Sequence, residues 1–284
     1  MKYNFMRFPG GKAKAFTLSY DDGFKYDIKL SDIISSYGLK CTFNFAKAFN
    51  NKDFLTADDV KKYILDRGHE VAAHGFNHRA EGSMRAVEAI TDVLESRKSL
   101  EQEHNIIVRG FAYPDTGIRK FNRDFGYDEV KNYMKDLEIA YARTNGQDNN
   151  DFSMPEDWYA WMPTAHHDNP EIFDYIDEFV AMDIDSVYPS RRQPRLFFMW
   201  GHSHEFEWKN RWEHLEEICK KISGNKDIWY ATNIEIYDYT NAYLSLIYSA
   251  DGSRVYNPSL MTVWFDVDGT LYSVKSGETI NVKI

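Results

Sequence analysis

The sequence contains few cysteines and no long hydrophobic run. Its 284 residues include only two cysteines, Cys41 and Cys219, which lie far apart in the chain. We interpret one as part of a strand, the other as part of a helix and both as reduced core residues, which argues against a disulfide framework. No stretch approaches the roughly 20 apolar residues of a membrane span, and the opening MKYNFMRFPGGKAK lacks the apolar run of a signal peptide. We therefore expect a cytoplasmic protein, or an extracytoplasmic one if a leader has been removed.

Positive charge is also scarce. Lysine and arginine number 34 against 44 aspartate and glutamate residues, which gives a formal net charge of -10. Such a surface repels nucleic acids and anionic membranes at long range. We therefore expect a neutral or cationic ligand and no nucleic-acid or membrane partner, while the sequence gives no oligomeric state.

The sequence does contain a regular alternation of apolar runs and amphipathic segments. The runs predict seven strands, at 16–20, 41–45, 70–73, 110–113, 139–143, 196–200 and 228–231. Helical patterns lie between and after them, at 27–37, 57–66, 83–104, 128–137, 170–182, 208–222 and 234–248. In the longest helix, Val87, Ile90 and Leu94 recur at intervals of three and four and Leu100 follows, with charged residues between them, which is a helical pattern. This alternation favours a parallel barrel or a wound sheet.

From Ala250 onward the pattern changes to short strands separated by turn residues. We therefore predict two parts, an α/β domain over 1–249 and a small β-rich appendage over 250–284. Within the appendage, Phe265 to Leu271 read FDVDGTL, which looks like the nucleophile motif of haloacid-dehalogenase-type phosphatases. Too little chain follows to supply the rest of that active site, so we predict a β-turn at Asp268-Gly269 instead.

Charged residues stand where several predicted strands end. Asp21 and Asp22 follow the first strand, and Gly23 allows the chain to turn there. His74 and His78, after the third strand, are four residues apart, so one helical turn would present both imidazoles to a single ion. Together with Asp22 they make a set of two histidines and one carboxylate that leaves coordination positions open. Taken alone, the Asp-Asp-Gly segment also fits a solvated turn, and the histidine pair also fits capping or surface residues.

The order of these motifs resembles that of the polysaccharide deacetylases, the NodB-like carbohydrate esterases. The resemblance spans roughly 14–240 and rests on SYDDG at 19–23, HGFNH at 74–78, FAYPDTG at 111–117 and a late histidine, His202, after an apolar strand. It implies a distorted (β/α) barrel of about seven parallel strands. It also implies one divalent ion, most simply Zn²⁺ with Co²⁺, Ni²⁺ or Mn²⁺ as alternatives.

Carried over residue by residue, the resemblance gives each motif a role. Asp21 matches the general base, His202 matches the general acid, and the metal ligands correspond to Asp22, His74 and His78. The ion would polarise an acyl carbonyl, and Asp21 would take a proton from the attacking water. Backbone N–H groups around the loop of Tyr113, Pro114 and Asp115 are candidates for stabilising the oxyanion.

The sequence departs from the family pattern in two places. Ala112 and Tyr113 precede Pro114, where relatives usually carry an arginine that pairs with the catalytic aspartate. Arg143, at the end of the fifth strand, is a candidate for the same cation and equally fits a surface residue. The second departure is His204, two residues beyond His202, which is an alternative acid.

Other candidate substrate contacts lie on loops and strand ends. His166 and His167 fit either the mouth of a cleft or a cap for the next helix. Tryptophan rings stack on flat apolar ligand faces, including those of sugars, and equally fill cores; the candidates are Trp158, Trp161 and Trp200.

The sequence therefore predicts a metal-dependent hydrolase that deacetylates an N- or O-acetylated sugar or glycan. One alternative is an amidohydrolase acting on a cyclic imide or ureide, and another is a non-catalytic carbohydrate-binding relative. A complete metal triad disfavours a metal-free amidohydrolase, and Asp21 beside that triad disfavours a binding protein, which needs no general base.

Overall fold

A computed structural model describes residues 2–48, 52–122, 125–144 and 148–283. The strands in these ranges are β1 (Asn4–Arg7), β2 (Lys14–Asp21), β3 (Cys41–Phe45), β4 (Glu70–Ala73), β5 (Gly110–Ala112), β6 (Tyr141–Arg143), β7 (Ala165–His166), β8 (Arg195–Gly201), β9 (Ile228–Tyr230), β10 (Ile247–Tyr248), β11 (Arg254–Tyr256), β12 (Val263–Val267), β13 (Thr270–Val274) and β14 (Thr279–Asn281). The α-helices are α1 (Tyr26–Ser36), α2 (Ala57–Asp59), α3 (Ala86–His104), α4 (Tyr127–Asp136), α5 (Ile172–Ala181), α6 (Ser203–Trp208), α7 (Trp212–Ile222) and α8 (Asn233–Leu244).

The second predicted helix changes its winding along its length. Thr56 caps α2 as expected, and its side chain accepts a hydrogen bond from the N–H of Asp59. The chain continues as a π-helical segment, Val60–Ile64, and a 3₁₀ turn, Leu65–Arg67, before Gly68 ends it with a φ of 74°. The predicted start and end of this helical segment are therefore nearly right, and its regular α-helical winding is wrong.

One parallel sheet organises the molecule. Its strands run in the order β6-β5-β4-β3-β2-β8-β7, and β9 pairs with the first half of β2. Every residue of β2 is buried, because strands flank both of its edges. The sheet curls into the distorted (β/α) barrel that the sequence predicts, and it confirms all seven predicted strands. The two-residue strand β7 is additional, since a segment so short has no readable periodicity.

The long helix α3 turns a different face to the core than its sequence pattern indicates. Val87 is 62% and Leu94 38% exposed, whereas Leu100, the last apolar residue of the pattern, is buried. The side chains that face inward are Ala89, Asp92, Val93, Ser96 and Leu100. The predicted helix is confirmed. Of its four patterned apolar residues only Leu100 faces the core, while the polar Asp92 points inward and holds a neighbouring loop.

Two small antiparallel sheets contain the end of the chain. One has the order β1-β12-β13 and the other β10-β11-β14, so the first of them also takes a strand from the N-terminal segment. The hairpin between β12 and β13 turns at Asp268 and Gly269, whose φ angles are 48° and 88°. These left-handed angles are typical of a two-residue hairpin turn, and the predicted turn is confirmed. The domain division at residue 249 stays a prediction.

None of the helices in the described ranges is long and apolar enough to cross a membrane.

Candidate active site

Three side chains from two strand ends meet at one end of the barrel. Asp22 follows β2 with a φ of 80°, and the loop after β4 carries His74 and His78. Oδ1 of Asp22 lies 3.5 Å from Nε2 of His78 and 3.8 Å from Nε2 of His74. All three candidate ligand atoms lie within 4.8 Å of one another. Ligands bound at 2.0–2.1 Å around a tetrahedral zinc are about 3.4 Å apart, so small shifts suffice to close this set on an ion.

The Asp22 oxygen and the His74 nitrogen of this triad have lone pairs available to bind a cation. Oδ1 of Asp22 is buried and has no hydrogen-bond partner among the described residues. Nδ1 of His74 is 2.8 Å from the carbonyl oxygen of Ala112, a distance at which an N–H on Nδ1 donates to that oxygen and leaves the Nε2 lone pair directed at the triad. Burial lowers the pKa of His74 to about 3, which keeps the imidazole neutral at physiological pH. The residues therefore fit a divalent ion.

The loop that carries the two histidines is held by Asp92 of helix α3. Its carboxylate accepts hydrogen bonds from the backbone N–H groups of Phe76, at 2.7 Å, and Asn77, at 3.0 Å. A Cβ on Gly75, whose φ is 75°, would meet Oδ2 of Asp92 at 2.9 Å. Asp92 is not recognisable from the sequence, because a single acid in a charged helix has no distinguishing pattern.

Asp21 lies beside the triad and is completely buried. Arg143 approaches its Oδ2 at 2.5 Å, and Nδ2 of Asn44 donates to its Oδ1 at 2.8 Å. Burial alone would raise the pKa of Asp21, but the charge and hydrogen bond of Arg143, together with the charge of His202, outweigh it and lower the pKa. The carboxylate is therefore held ionised next to the candidate metal site.

Arg143 reaches Asp21 from the strand next to the family's usual arginine position. In the pairing of β5 with β6, Arg143 is the direct neighbour of Ala112. Its side chain is completely buried, and its guanidinium lies 4.7 Å from the centre of the Trp200 ring. The alternative that Arg143 is a surface residue is therefore wrong.

His202 faces Asp21 from the end of β8. Its Nε2 is 3.9 Å from Oδ2 of Asp21, and its Nδ1 is 3.4 Å from Oε2 of Glu205. Burial opposes protonation of His202, but the contact with Glu205 and the charges of Asp21 and Asp22 raise its pKa overall. Glu205 was missed, although its spacing of three residues from His202 is that of a helix capping box, which it forms.

His204 lies in a different environment. Its ring packs between Trp208, at 4.1 Å between ring centres, and Phe24, at 4.6 Å. Burial and the neighbouring His202 lower its pKa to about 4. His204 is therefore neutral at physiological pH and lacks the proton that an acid would need.

The other histidine pair, His166 and His167, lies next to Glu205. Nε2 of His166 is 3.1 Å and Nε2 of His167 3.3 Å from Oε2 of Glu205, and Asp168 completes a second group with metal-ligand spacing. The N–H of Asp168 donates to Nδ1 of His166, so Nδ1 is an acceptor and Nε2 is the ring nitrogen that can donate to Glu205. Glu205 is therefore hydrogen-bonded to His166, whereas neither ring nitrogen of His167 has a hydrogen-bond partner among the described residues. His167 is completely buried and stacks on Phe206, at 4.1 Å, so the expectation that it lies at a cleft mouth is wrong.

The loop after β5 offers fewer oxyanion donors than expected. The N–H of Tyr113 is donated to the carbonyl oxygen of Arg143, and Pro114 has no N–H. Asp115 is exposed, and its φ of 49° places it at the turn. Of the three predicted residues, only Asp115 therefore remains as a backbone donor.

Comparisons with known proteins bear on the sequence motifs and on the fold. The family model described as polysaccharide deacetylase matches residues 9–141. No curated protein matches the sequence. Among solved structures, a candidate polysaccharide deacetylase from Mycobacterium smegmatis has a TM-score of 0.57 at 12% identity, with 86% of this chain and 96% of that chain covered. Puue allantoinase has a TM-score of 0.55 at 11% identity, with 81% and 91% covered.

At these identities the solved structures show a shared fold. The sequence match covers residues 9–141, somewhat under half of the chain, and contains the first three motifs, SYDDG, HGFNH and FAYPDTG. Over that segment the chain is similar to the polysaccharide deacetylases.

Proposed function

We propose that this protein is a metal-dependent hydrolase that removes acetyl groups from an N- or O-acetylated carbohydrate. The observation that carries the proposal is one ionised carboxylate, Asp21, between a triad suited to a metal ion and a histidine whose pKa is raised, His202. A base, an acid and a Lewis-acid site within a few ångströms are the groups that hydrolysis of an amide or ester needs.

The candidate metal ligands are Asp22, His74 and His78. Two nitrogens and one carboxylate oxygen suit Zn²⁺, and Co²⁺, Ni²⁺ or Mn²⁺ are alternatives for the same donors. When bound, a divalent ion supplies Lewis acidity toward the acetyl carbonyl and an acidified water. The three protein ligands leave positions open for both.

Asp21 is the proposed general base. Its ionised carboxylate takes a proton from the water that attacks the acetyl carbonyl. Arg143 lies 2.5 Å from Oδ2, so it keeps the carboxylate ionised and fixes its direction. Asn44 holds the other oxygen at 2.8 Å, so the side chain is constrained from both sides.

His202 is the proposed general acid. In its protonated form it hands a proton to the departing sugar amine or alkoxide as the bond to the acetyl carbon breaks. Glu205, 3.4 Å from Nδ1, stabilises the imidazolium, whereas the lowered pKa of His204 argues against that residue as the acid. Because Asp21 must be ionised and His202 protonated, a bell-shaped pH profile of kcat/KM is expected.

The test is acetate release from a panel of acetylated mono- and oligosaccharides, with cyclic imides and ureides as competing substrates. Native protein should release acetate, lose this activity on chelation and regain it with Zn²⁺. Asp21→Asn should abolish release while its metal content stays at that of the native protein. The matched control is Asp58→Asn, an exposed acid on α2, which should behave as the native protein does.

Three results would count against the proposal. Turnover by Asp21→Asn would remove this residue as the base. Activity that survives complete removal of metal would support a metal-free amidohydrolase, above all if a cyclic imide or ureide is the substrate. Saccharide binding without any hydrolysis would support a non-catalytic carbohydrate-binding protein.

A further inference from the structure

Trp208 is unusually exposed for a tryptophan. It is the last residue of α6 and is 66% exposed, and every other tryptophan among the described residues is buried or half-buried. The tryptophans singled out from the sequence differ from it. Trp161 and Trp200 are buried, and Trp158 packs edge-on against Trp161 and Tyr237. A large aromatic ring that stays exposed in the folded protein is a candidate for binding a ligand.

The Trp208 ring packs against other aromatic side chains. It contacts His204 at 4.1 Å between ring centres and meets Phe24 edge-on at 5.9 Å, with an interplanar angle of 80°. Phe24 in turn packs on the buried Phe54 at 4.4 Å. The backbone N–H of Leu55 bonds the carbonyl oxygen of Gly23 at 2.9 Å, which ties the two segments together. We call Phe24, His204 and Trp208 the aromatic platform.

The aromatic platform adjoins the candidate active site along both of its chain segments. Phe24 comes two residues after the candidate ligand Asp22, and His204 comes two residues after His202. The His204 ring lies 5.1 Å from the His202 ring. Trp208 is therefore two ring contacts away from the proposed acid, within reach of a neighbouring unit of an oligosaccharide whose acetyl group lies at the site.

We propose that the aromatic platform is a subsite that stacks one sugar ring of a glycan substrate, adjacent to the acetylated unit. The inference rests on the proposed function and names its substrate class as an oligomer or polymer. A pyranose has a flat face of C–H groups that packs on the negative face of an indole ring, while its hydroxyl groups stay in water. A neutral glycan also suits a chain of net charge -10, which repels polyanions.

Binding tests the subsite without depending on catalysis. Native Zn²⁺-loaded protein and Trp208→Ala are titrated calorimetrically with the pentamer of N-acetylglucosamine and with acetylated xylopentaose. Loss of the indole should weaken binding of the accepted pentamer about tenfold, because one stacked ring contributes on the order of 1.5 kcal/mol. Trp208→Phe should recover most of that loss. Since the ring is exposed, the Tm and the metal content should match those of the native protein.

The matched control is Tyr188→Ala, which removes another exposed aromatic ring, 71% accessible, from outside the aromatic platform. Its affinity should equal that of the native protein. Equal affinities of native protein and Trp208→Ala would overturn the proposal, as would native protein that binds neither pentamer. Loss of self-association in Trp208→Ala with unchanged saccharide binding would assign the surface to protein contact instead. Pentamers that bind through Trp208 and release no acetate would leave the subsite standing and count against the hydrolase.

Discussion

The buried pair of Arg143 and Asp21 makes the sharpest prediction for stability. Both side chains are completely buried and their charged atoms are 2.5 Å apart. Arg143→Met leaves the Asp21 carboxylate uncompensated in the interior, and breaking such pairs costs about 3–5 kcal/mol. We expect the free energy of unfolding to fall by about 4 kcal/mol, which lowers the Tm by about 10 °C in a chain of this size.

A double-mutant cycle separates the charge pair from simple packing. If the charge pair is the cause, Arg143→Met should lower the free energy of unfolding by at least about 2 kcal/mol less in the Asp21→Asn protein than in the native protein, because the neutral amide needs no counter-charge. Loss of Arg143 also removes the main charge that lowers the pKa of Asp21, so residual acetate release should shift its acidic limb to higher pH.

The assay is urea unfolding of the four chelator-treated proteins, followed by circular dichroism. Arg85→Met is the matched control, since Arg85 pairs with Glu88 on the exposed side of α3 and should contribute less than about 0.5 kcal/mol. Equal costs of Arg143→Met in both backgrounds would refute the reasoning, because the effect would then be packing alone.

Two further predictions concern buried positions away from that pair. Glu70 accepts a hydrogen bond from the Tyr141 hydroxyl, and burial raises the pKa of Glu70 to about 7. Between pH 4.5 and 7 the folded protein therefore holds a proton on Glu70 that the unfolded chain releases. The free energy of unfolding should consequently fall by up to about 3 kcal/mol as the pH rises through this range. Denaturant unfolding at pH 5 and pH 7.5 should show this slope in the native protein and not in Glu70→Gln, and equal slopes would contradict it. A Cβ at Gly201 would lie 1.9 Å from Nδ1 of the buried His167, so Gly201→Ala should lose about 1–3 kcal/mol by overpacking. Gly126→Ala, where the nearest atom is 3.6 Å away, should lose at most about 1 kcal/mol in the same unfolding measurement, the cost of a poorer N-cap for α4.

Helix α3 shows why some features could not be predicted from the sequence. Its helical period was readable from the spacing of its apolar residues, but its inward face was not. Asp92 is buried because three groups of the His74–His78 loop donate to it, the N–H groups of Phe76 and Asn77 and the side chain of Asn77. Contacts between residues so far apart in the chain leave no local pattern.

The sequence by itself determined the elements and their order: strands that end in charge, the turn at Asp268-Gly269, and the motifs around Asp21 and His74. These depend on neighbours within a few positions, so periodicity and residue type were enough. Only the tertiary structure decided that Arg143 contacts Asp21 from β6, the strand beside β5. It also decided that Glu205 lies next to three histidines and that Trp208 stays exposed beside His204. These features depend on strand order and on the curvature of the sheet, which bring distant residues together by packing that no local pattern encodes.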